Sequence, residues 1–293
     1  MINPADKRRI AIDGLAMAYH DIGAGDPIVF LHGNPTSSWI WRNIIPYAQS
    51  FGRCIAPDLI GMGDSDKLPN PGPDSYTFDQ NRHYLDGFFD ALELKERVIL
   101  VVHDWGSSLG FDWARRHPDA VVGIAHMEGL IAPTKWEDMP AVAQPRFRGV
   151  RSAEGEELVL RQNIFLEQSL VKGTLRPYTD AELAEYHRPF LHAGEDRRPM
   201  LTWPRELPIS GEPSNVVEVF EKYGAWLAQS PVPKLYIRAE PGTQSSKIIE
   251  QARTWPNQQE VVVPGIHYPQ EDAPDEVGSA IAGWLQGMRG ASR

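Results

Sequence analysis

Six short apolar runs set the strongest limit on how this chain can fold. PIVFLHG, CIAPDL, VILVVHD, VVGIAHME, KLYIRAE and QEVVVPG each offer apolar side chains to two faces. A strand that is apolar on both faces needs cover on both, which is the condition of a parallel sheet between helices. Amphipathic helical patterns separate the runs: FDQNRHYLDGFFDALEL, SLGFDWARRHP and, near the end, APDEVGSAIAGWLQGM. Pro274 suits the first turn of the last of these, where its missing N–H costs nothing. Asp275 and Glu276 beside it suit the positive end of the helix dipole. The alternation predicts an α/β fold, a mostly parallel sheet flanked by helices through right-handed crossovers.

The stretch 132–210 breaks that alternation. It is rich in proline and charge, and its clearest patterns, GEELVLRQNIFLEQSL and TDAELAEYHRPFL, are helical. It reads as a helical cap inserted into a core made of residues 1–131 and 211–293. A formal charge of −10 argues against a nucleic-acid partner. The single cysteine, Cys54, lies in the apolar segment FGRCIAPDL and reads as a core residue, and one cysteine allows no internal disulfide. MINPADKRRI has no apolar stretch of a signal peptide. No run approaches the roughly 20 apolar residues of a membrane span. The expectation is a cytoplasmic protein with no membrane partner.

One junction concentrates the chemistry. The run VILVVHD leads directly into Asp104-Trp105-Gly106 and a helical pattern, the strand–turn–helix arrangement of a nucleophile elbow. Val102 stands where a small residue is usual, and taken alone Asp104 is equally readable as a helix N-cap. The context favours the elbow. LHGNPTSSWIWRN follows the first run, where hydrolases of this architecture place oxyanion-hole residues. PDLIGMGDSD is a glycine-rich loop after the second; HMEGL presents Glu128, and PGIHYPQED presents His267. Nucleophile, acid and histidine thus follow in order, each at the carboxyl end of a strand, where parallel sheets collect their sites. Glu240 in RAEPG is a rival for the acid. His103 and His126 flank the candidate positions and are assigned no chemistry.

These motifs resemble those of haloalkane dehalogenases of the α/β-hydrolase superfamily. The resemblance covers nearly the whole chain and is carried by HGNPTSSWIWRN, HDWGSSLGFDWA, MEGL, RRPMLTWPRELPI and HYPQEDAPDE. It implies an α/β-hydrolase fold with the cap inserted after the sixth strand. It also implies Asp104 as nucleophile, His267 as base, Glu128 as acid, and Asn34 and Trp105 as halide-binding and oxyanion-stabilising groups. Leu130, Phe147, Phe165, Pro204 and Leu207 are implied as walls of an apolar pocket, which suits a neutral haloalkane. Gly173 and Gln244 fall at the implied tunnel mouth. With the small Gly173, the polar Gln244 and the stiff Pro269, a wider or more polar entrance is expected. The implied partners are a small apolar halogenated substrate, halide and water, acting on a monomer or weak homo-oligomer. No metal or organic cofactor is implied.

The aspartate has a chemical rationale. A carboxylate that displaces halide from a saturated carbon leaves an ester, which water can cleave at the carbonyl; a serine would leave an ether. Epoxide hydrolases share the Asp–His pair and add cap tyrosines, for which Tyr178 and Tyr186 are available; Asn34 argues against them. Coelenterazine-type luciferases, which are monooxygenases, resemble the same motifs.

Overall fold

The structure is a computed structural model that describes residues 6–291. Its eight strands are β1 (Arg8–Ile12), β2 (Leu15–Ile22), β3 (Pro27–Leu31), β4 (Arg53–Pro57), β5 (Val98–His103), β6 (Val121–Met127), β7 (Lys234–Pro241) and β8 (Gln258–Gly265). They form one sheet in the order β1-β2-β4-β3-β5-β6-β7-β8. The six apolar runs are β3 to β8, all parallel. Every residue of β5 is buried. Cys54 is buried within β4, and burial pushes its thiol up to about 12.

Two features depart from the sequence reading. β1 and β2 form an antiparallel hairpin that the sequence reading did not include; β1 is largely exposed, whereas β2 is buried over Met17–His20. Its signal was the dipeptide Asp13-Gly14, whose positive φ values of 47° and 83° fit a two-residue hairpin turn. β8, expected to be buried on both faces, is an edge strand, with Val261 36% and Val262 47% exposed. Its outer end is held by ions instead: Glu260 accepts from Arg238 Nε at 3.0 Å and Arg253 Nε at 2.7 Å.

Helices Phe78–Ala91, Trp105–Arg116, Ser214–Leu227 and Pro274–Ala291 flank the sheet. Thr77 caps the first by accepting from the Gln80 N–H. The sheet order reverses between β4-β3 and β5, so β3 and β5 are neighbours whose following loops diverge, with Leu31 paired to Val102. That divergence opens a crevice at the carboxyl ends of the two strands. Asn34 and Asp104 lie on those two loops.

Among the described residues, 132–210 contain helical turns and one isolated bridge, Thr134 to Ile209, but no longer strand. The run GEELVLRQNIFLEQSL is not one α-helix. It makes two widened turns, Glu157–Arg161 and Phe165–Leu170, parted at Asn163, whose φ is 57°. Asp180–His187 starts with a Thr179/Glu182 capping box. This stretch is tied to the core by a buried ionic cluster. Arg42 donates to both oxygens of Glu271, at 2.5 and 2.7 Å, and Arg176 Nη2 reaches Glu271 Oε2 at 2.6 Å. The Tyr186 hydroxyl donates to the same carboxylate. Two guanidinium groups and a phenol satisfy a fully buried carboxylate, which is the condition for keeping such a charge out of water. Glu271 lies on the short helix Pro269–Asp272 that follows His267, so the cluster anchors the histidine loop.

No described helix is long and apolar enough to cross a membrane, and no described group of His, Cys, Asp and Glu could hold a metal ion.

Candidate active site

The apolar strand β5 stops at His103, and the next residue turns the chain. Asp104 has φ 48° and ψ −127°, a conformation that costs a non-glycine residue energy and persists only where its surroundings enforce it. Two glycines make room for it. A methyl group on Gly106 would lie 2.3 Å from the Leu31 carbonyl oxygen, so only glycine lets this helix approach β3 so closely. A methyl on Gly33 would lie 2.2 Å from Asp104 Oδ2. The Ser107 N–H and hydroxyl both donate to the Asp104 carbonyl, which closes the turn. The Asp104 side chain makes no capping bond to its helix, so its carboxylate is free for another task.

Asp104 is 7% exposed, and its carboxylate meets groups from two other strand ends. Oδ2 accepts from the Asn34 backbone N–H at 2.8 Å. Oδ1 lies 3.7 Å from His267 Nε2, a charge contact, while His267 Nδ1 lies 3.3 Å from Glu128 Oε2. Glu128 also has a positive φ, 44°, at the end of β6. The structure therefore brings Asp104, His267 and Glu128 together. Glu240 is elsewhere: it is largely exposed and pairs loosely with Arg238 at 3.4 Å.

The electrostatics follow from this packing. Burial would raise the Asp104 pKa, but His267 and the Asn34 N–H stabilise the anion and hold it below the usual carboxylate value. Burial would lower the His267 pKa, but its two carboxylate neighbours raise it to about 9. His103, left without a role in the sequence, is neutral, because burial and the adjacent His267 push its pKa down to about 3. Its Nε2 donates to the His267 carbonyl at 2.6 Å and so fixes that backbone. His126 is a core residue stacked 4.8 Å from Tyr236.

Asn34, whose backbone binds the carboxylate, and Trp105, which follows Asp104 in the chain, both carry side-chain donors. The Asn34 side-chain N–H₂ reaches only the Met200 carbonyl, at 3.5 Å, the limit of a hydrogen bond, and its oxygen has no partner. The Trp105 indole is 3% exposed, makes no hydrogen bond to a described residue, and stacks on Trp203 at 4.5 Å. Sequence reasoning missed three neighbours. Trp203 stood in plain view in the motif TWPRELPI. Thr243 donates its N–H, at 3.1 Å, and its hydroxyl to Glu128, and nothing in the sequence marked it. Tyr268 packs its ring edge-to-face on His267 at 4.8 Å.

Comparison with known proteins places this arrangement. The sequence profile of the alpha/beta hydrolase fold family matches residues 26–274. A haloalkane dehalogenase of Sphingobium indicum is 55% identical over 287 residues, 98% of this chain and 97% of that protein. The chain belongs to the haloalkane dehalogenases. The crystal structure of haloalkane dehalogenase DbeA from Bradyrhizobium elkani superimposes with a TM-score of 0.92 at 40% identity, covering 98% of this chain and 99% of that one. Coelenterazine h 2-monooxygenase of Renilla reniformis is 39% identical over 90% of this chain and 84% of its own.

The entrance expected for this dehalogenase needs correction at two residues. Gly173 does not leave an open mouth: a methyl there would lie 2.4 Å from Tyr268 Cε2, so the tyrosine ring already fills the space. The Gly173 carbonyl accepts from the His267 N–H at 2.8 Å and the Tyr268 N–H at 3.2 Å, which ties this segment to the histidine loop. Gln244 is not a free polar group: its amide accepts from Tyr236 and donates to the Gly129 carbonyl at 2.9 Å. Leu130, Phe165 and Leu207 pack in the apolar cluster that holds Trp105 and Trp203. The Leu130 N–H donates to Ser107 at 2.8 Å, beside the elbow. Pro204 is buried on the Arg198–Glu206 helix. Phe147 is half-buried outside that cluster, under the Arg146 guanidinium at 5.1 Å. Pro269 is buried at the start of the short helix after His267.

Proposed function

We propose that this protein hydrolyses the carbon–halogen bond of haloalkanes, with Asp104 as the nucleophile. The observation that carries the reading is the orientation of its carboxylate: Oδ2 is held by the Asn34 N–H and Oδ1 is turned toward His267. Oδ1 attacks the carbon bearing the halogen, that carbon–halogen bond breaks with its electron pair, and halide leaves unprotonated. The Trp105 indole N–H and the Asn34 amide are donors without strong protein acceptors, suited to the charge that develops on the halide.

The product of that step is an ester whose carbonyl oxygen is Oδ2. His267 then takes a proton from water, and hydroxide adds to the Asp104 carbonyl carbon. The backbone N–H groups of Asn34 and Trp105 hold the oxyanion, and Glu128, itself held by Thr243, supports the imidazolium. Collapse releases the alcohol and restores the carboxylate. Ester formation removes one of the two anions that raise the His267 pKa, which lowers that pKa and favours the neutral base the second step needs.

Residues 132–210 act as the cap of a core formed by 1–131 and 211–293. Of its two tyrosines, Tyr186 is not free to supply the acid an epoxide hydrolase needs, because its hydroxyl donates to Glu271 in the buried ionic cluster.

The test is bromide release from 1-bromobutane and 1,2-dibromoethane. Wild type should release bromide from both, and Asp104→Ala should fall by about 10⁴-fold or more. A wild type that releases none, or an Asp104→Ala that keeps its rate, overturns the reading.

A further inference from the structure

The three strand ends that meet at the site are not equally held by the sheet. β5 and β6, which precede Asp104 and Glu128, are paired on both sides; β8, which precedes His267, is the edge and pairs only with β7. β8 ends at Gly265, so the histidine stands beyond a strand with one free side. Its backbone needs partners that the sheet does not supply.

Residues 173–176 supply them. The Gly173 carbonyl accepts from the His267 N–H at 2.8 Å and the Tyr268 N–H at 3.2 Å. The Asp272 carboxylate bridges the two segments. Its Oδ1 accepts from the Leu175 N–H at 2.7 Å and the Arg176 N–H at 3.2 Å, and its Oδ2 accepts from the Ile266 N–H at 3.1 Å. Arg176 grips the same loop in return: its Nε donates to the Glu271 carbonyl at 2.6 Å and its Nη2 to Glu271 Oε2 at 2.6 Å. Charge-assisted bonds of this kind are short and directional. The main chain on both sides of His267 is therefore bonded to residues 173–176, where a neighbouring strand is missing. Asp104 is fixed separately, by the Ser107 and Asn34 N–H groups.

We propose that Asp272 and Arg176 are positioning residues for the second step, hydrolysis of the ester, because they hold His267 where it can take a proton from water. The proposal rests on the dehalogenase reading above and its two steps. A group misplaced by about 1 Å can lose about 10²-fold in rate. Alkylation does not use the base, so it is spared.

The experiment is a rapid-quench single turnover of 1-bromobutane in wild type, Asp272→Asn and Arg176→Gln. Bromide reports alkylation, 1-butanol reports hydrolysis, and intact mass reports the butyl ester on Asp104. Asparagine keeps one acceptor oxygen and puts an N–H₂ in place of the other, so one of the two bridged segments is released. The ratio of hydrolysis to alkylation rates should fall about tenfold in Asp272→Asn, with the butyl-enzyme accumulating, and about threefold in Arg176→Gln, which withdraws only one grip. Should Asp272→Asn fail to fold, the ratio in Arg176→Gln decides; that side chain is 34% exposed and its loss leaves Arg42 on Glu271. A ratio that does not fall overturns the proposal, including the case where both steps slow together, which would mean a structural role. A wild type that releases no bromide overturns the dehalogenase reading and this proposal with it; a wild type that turns over beside variants of unchanged ratio sinks the proposal alone.

Discussion

The elbow at Asp104 and the rim at Gly173 both depend on glycine, but in different ways. At the elbow Gly106 faces backbone, the Leu31 carbonyl, and Gly33 faces the Asp104 side chain whose conformation that backbone fixes, with the neighbours that shape the turn within a few residues or at the end of the adjacent strand. At the rim Gly173 faces a side chain, the ring of Tyr268, from a loop 95 residues further along. A site made of strand ends is fixed by main-chain geometry and survives changes in its surroundings. An entrance made of complementary side chains is a property of pairs, and changing one member changes the other.

The largest effect expected from the first region comes from His267→Phe. With the base gone but Asp104 and the halide donors intact, alkylation should proceed and hydrolysis should stop. Turnover of 1-bromobutane should fall by about 10³-fold or more, and the intact mass should rise by one butyl group on Asp104. A variant that stays unmodified would show that His267 also serves the first step, and the clean division between the two steps would be lost.

A smaller effect sharpens the contrast at the rim. If Gly173 were an open mouth, Gly173→Leu would slow long substrates and spare short ones. Because Tyr268 occupies that space, the new side chain must displace the ring and disturb the His267 backbone that Gly173 holds. Overpacking of this kind typically costs about 1–3 kcal/mol. kcat/KM for 1-bromobutane and 1-bromohexane should therefore fall together, by about tenfold, in Gly173→Leu. Adding Tyr268→Ala should restore the short substrate before the long one. A single variant that slows only 1-bromohexane would mean the ring yields freely and the rim is as open as the sequence suggested.

This contrast also explains what was legible in the sequence. β3 to β8 could be read because a buried parallel strand needs apolar residues on both faces, and Asn34, Asp104, Glu128 and His267 because each follows such a run. β1 escaped because an edge strand needs little burial, and β2, although buried over Met17–His20, escaped because polar residues follow its short apolar stretch; Asp13-Gly14 marked the turn between them. Thr243 and His103 could not be found: one acts through a backbone N–H and a hydroxyl toward Glu128, the other through a bond to the His267 carbonyl, and neither contact leaves a local pattern. Gly173 and Gln244 were misread for the same reason, since their partners, Tyr268 and Tyr236, lie on other elements.

The smallest effect tests the electrostatics that join the three strand ends. His267 lies between two carboxylates, and their attraction outweighs its burial, so its pKa is about 9 against an ordinary 6.5. Asp104→Asn is a neutral stand-in for the alkylated enzyme. It removes the Asp104 charge and leaves Glu128, so the His267 pKa should fall from about 9 toward the ordinary range, read by the imidazole proton or carbon resonances across a pH titration. Stability should follow with a definite sign. A raised histidine pKa stabilises the fold fully below the unfolded value of about 6.5, and that contribution disappears as pH rises through about 9. The wild type should therefore lose stability between those limits, and Asp104→Asn should lose less, over a lower and narrower window. A His267 pKa that does not move in Asp104→Asn would mean that Glu128 alone sets it. The imidazole would then stay charged after the ester forms, and deprotonation of water would need another base.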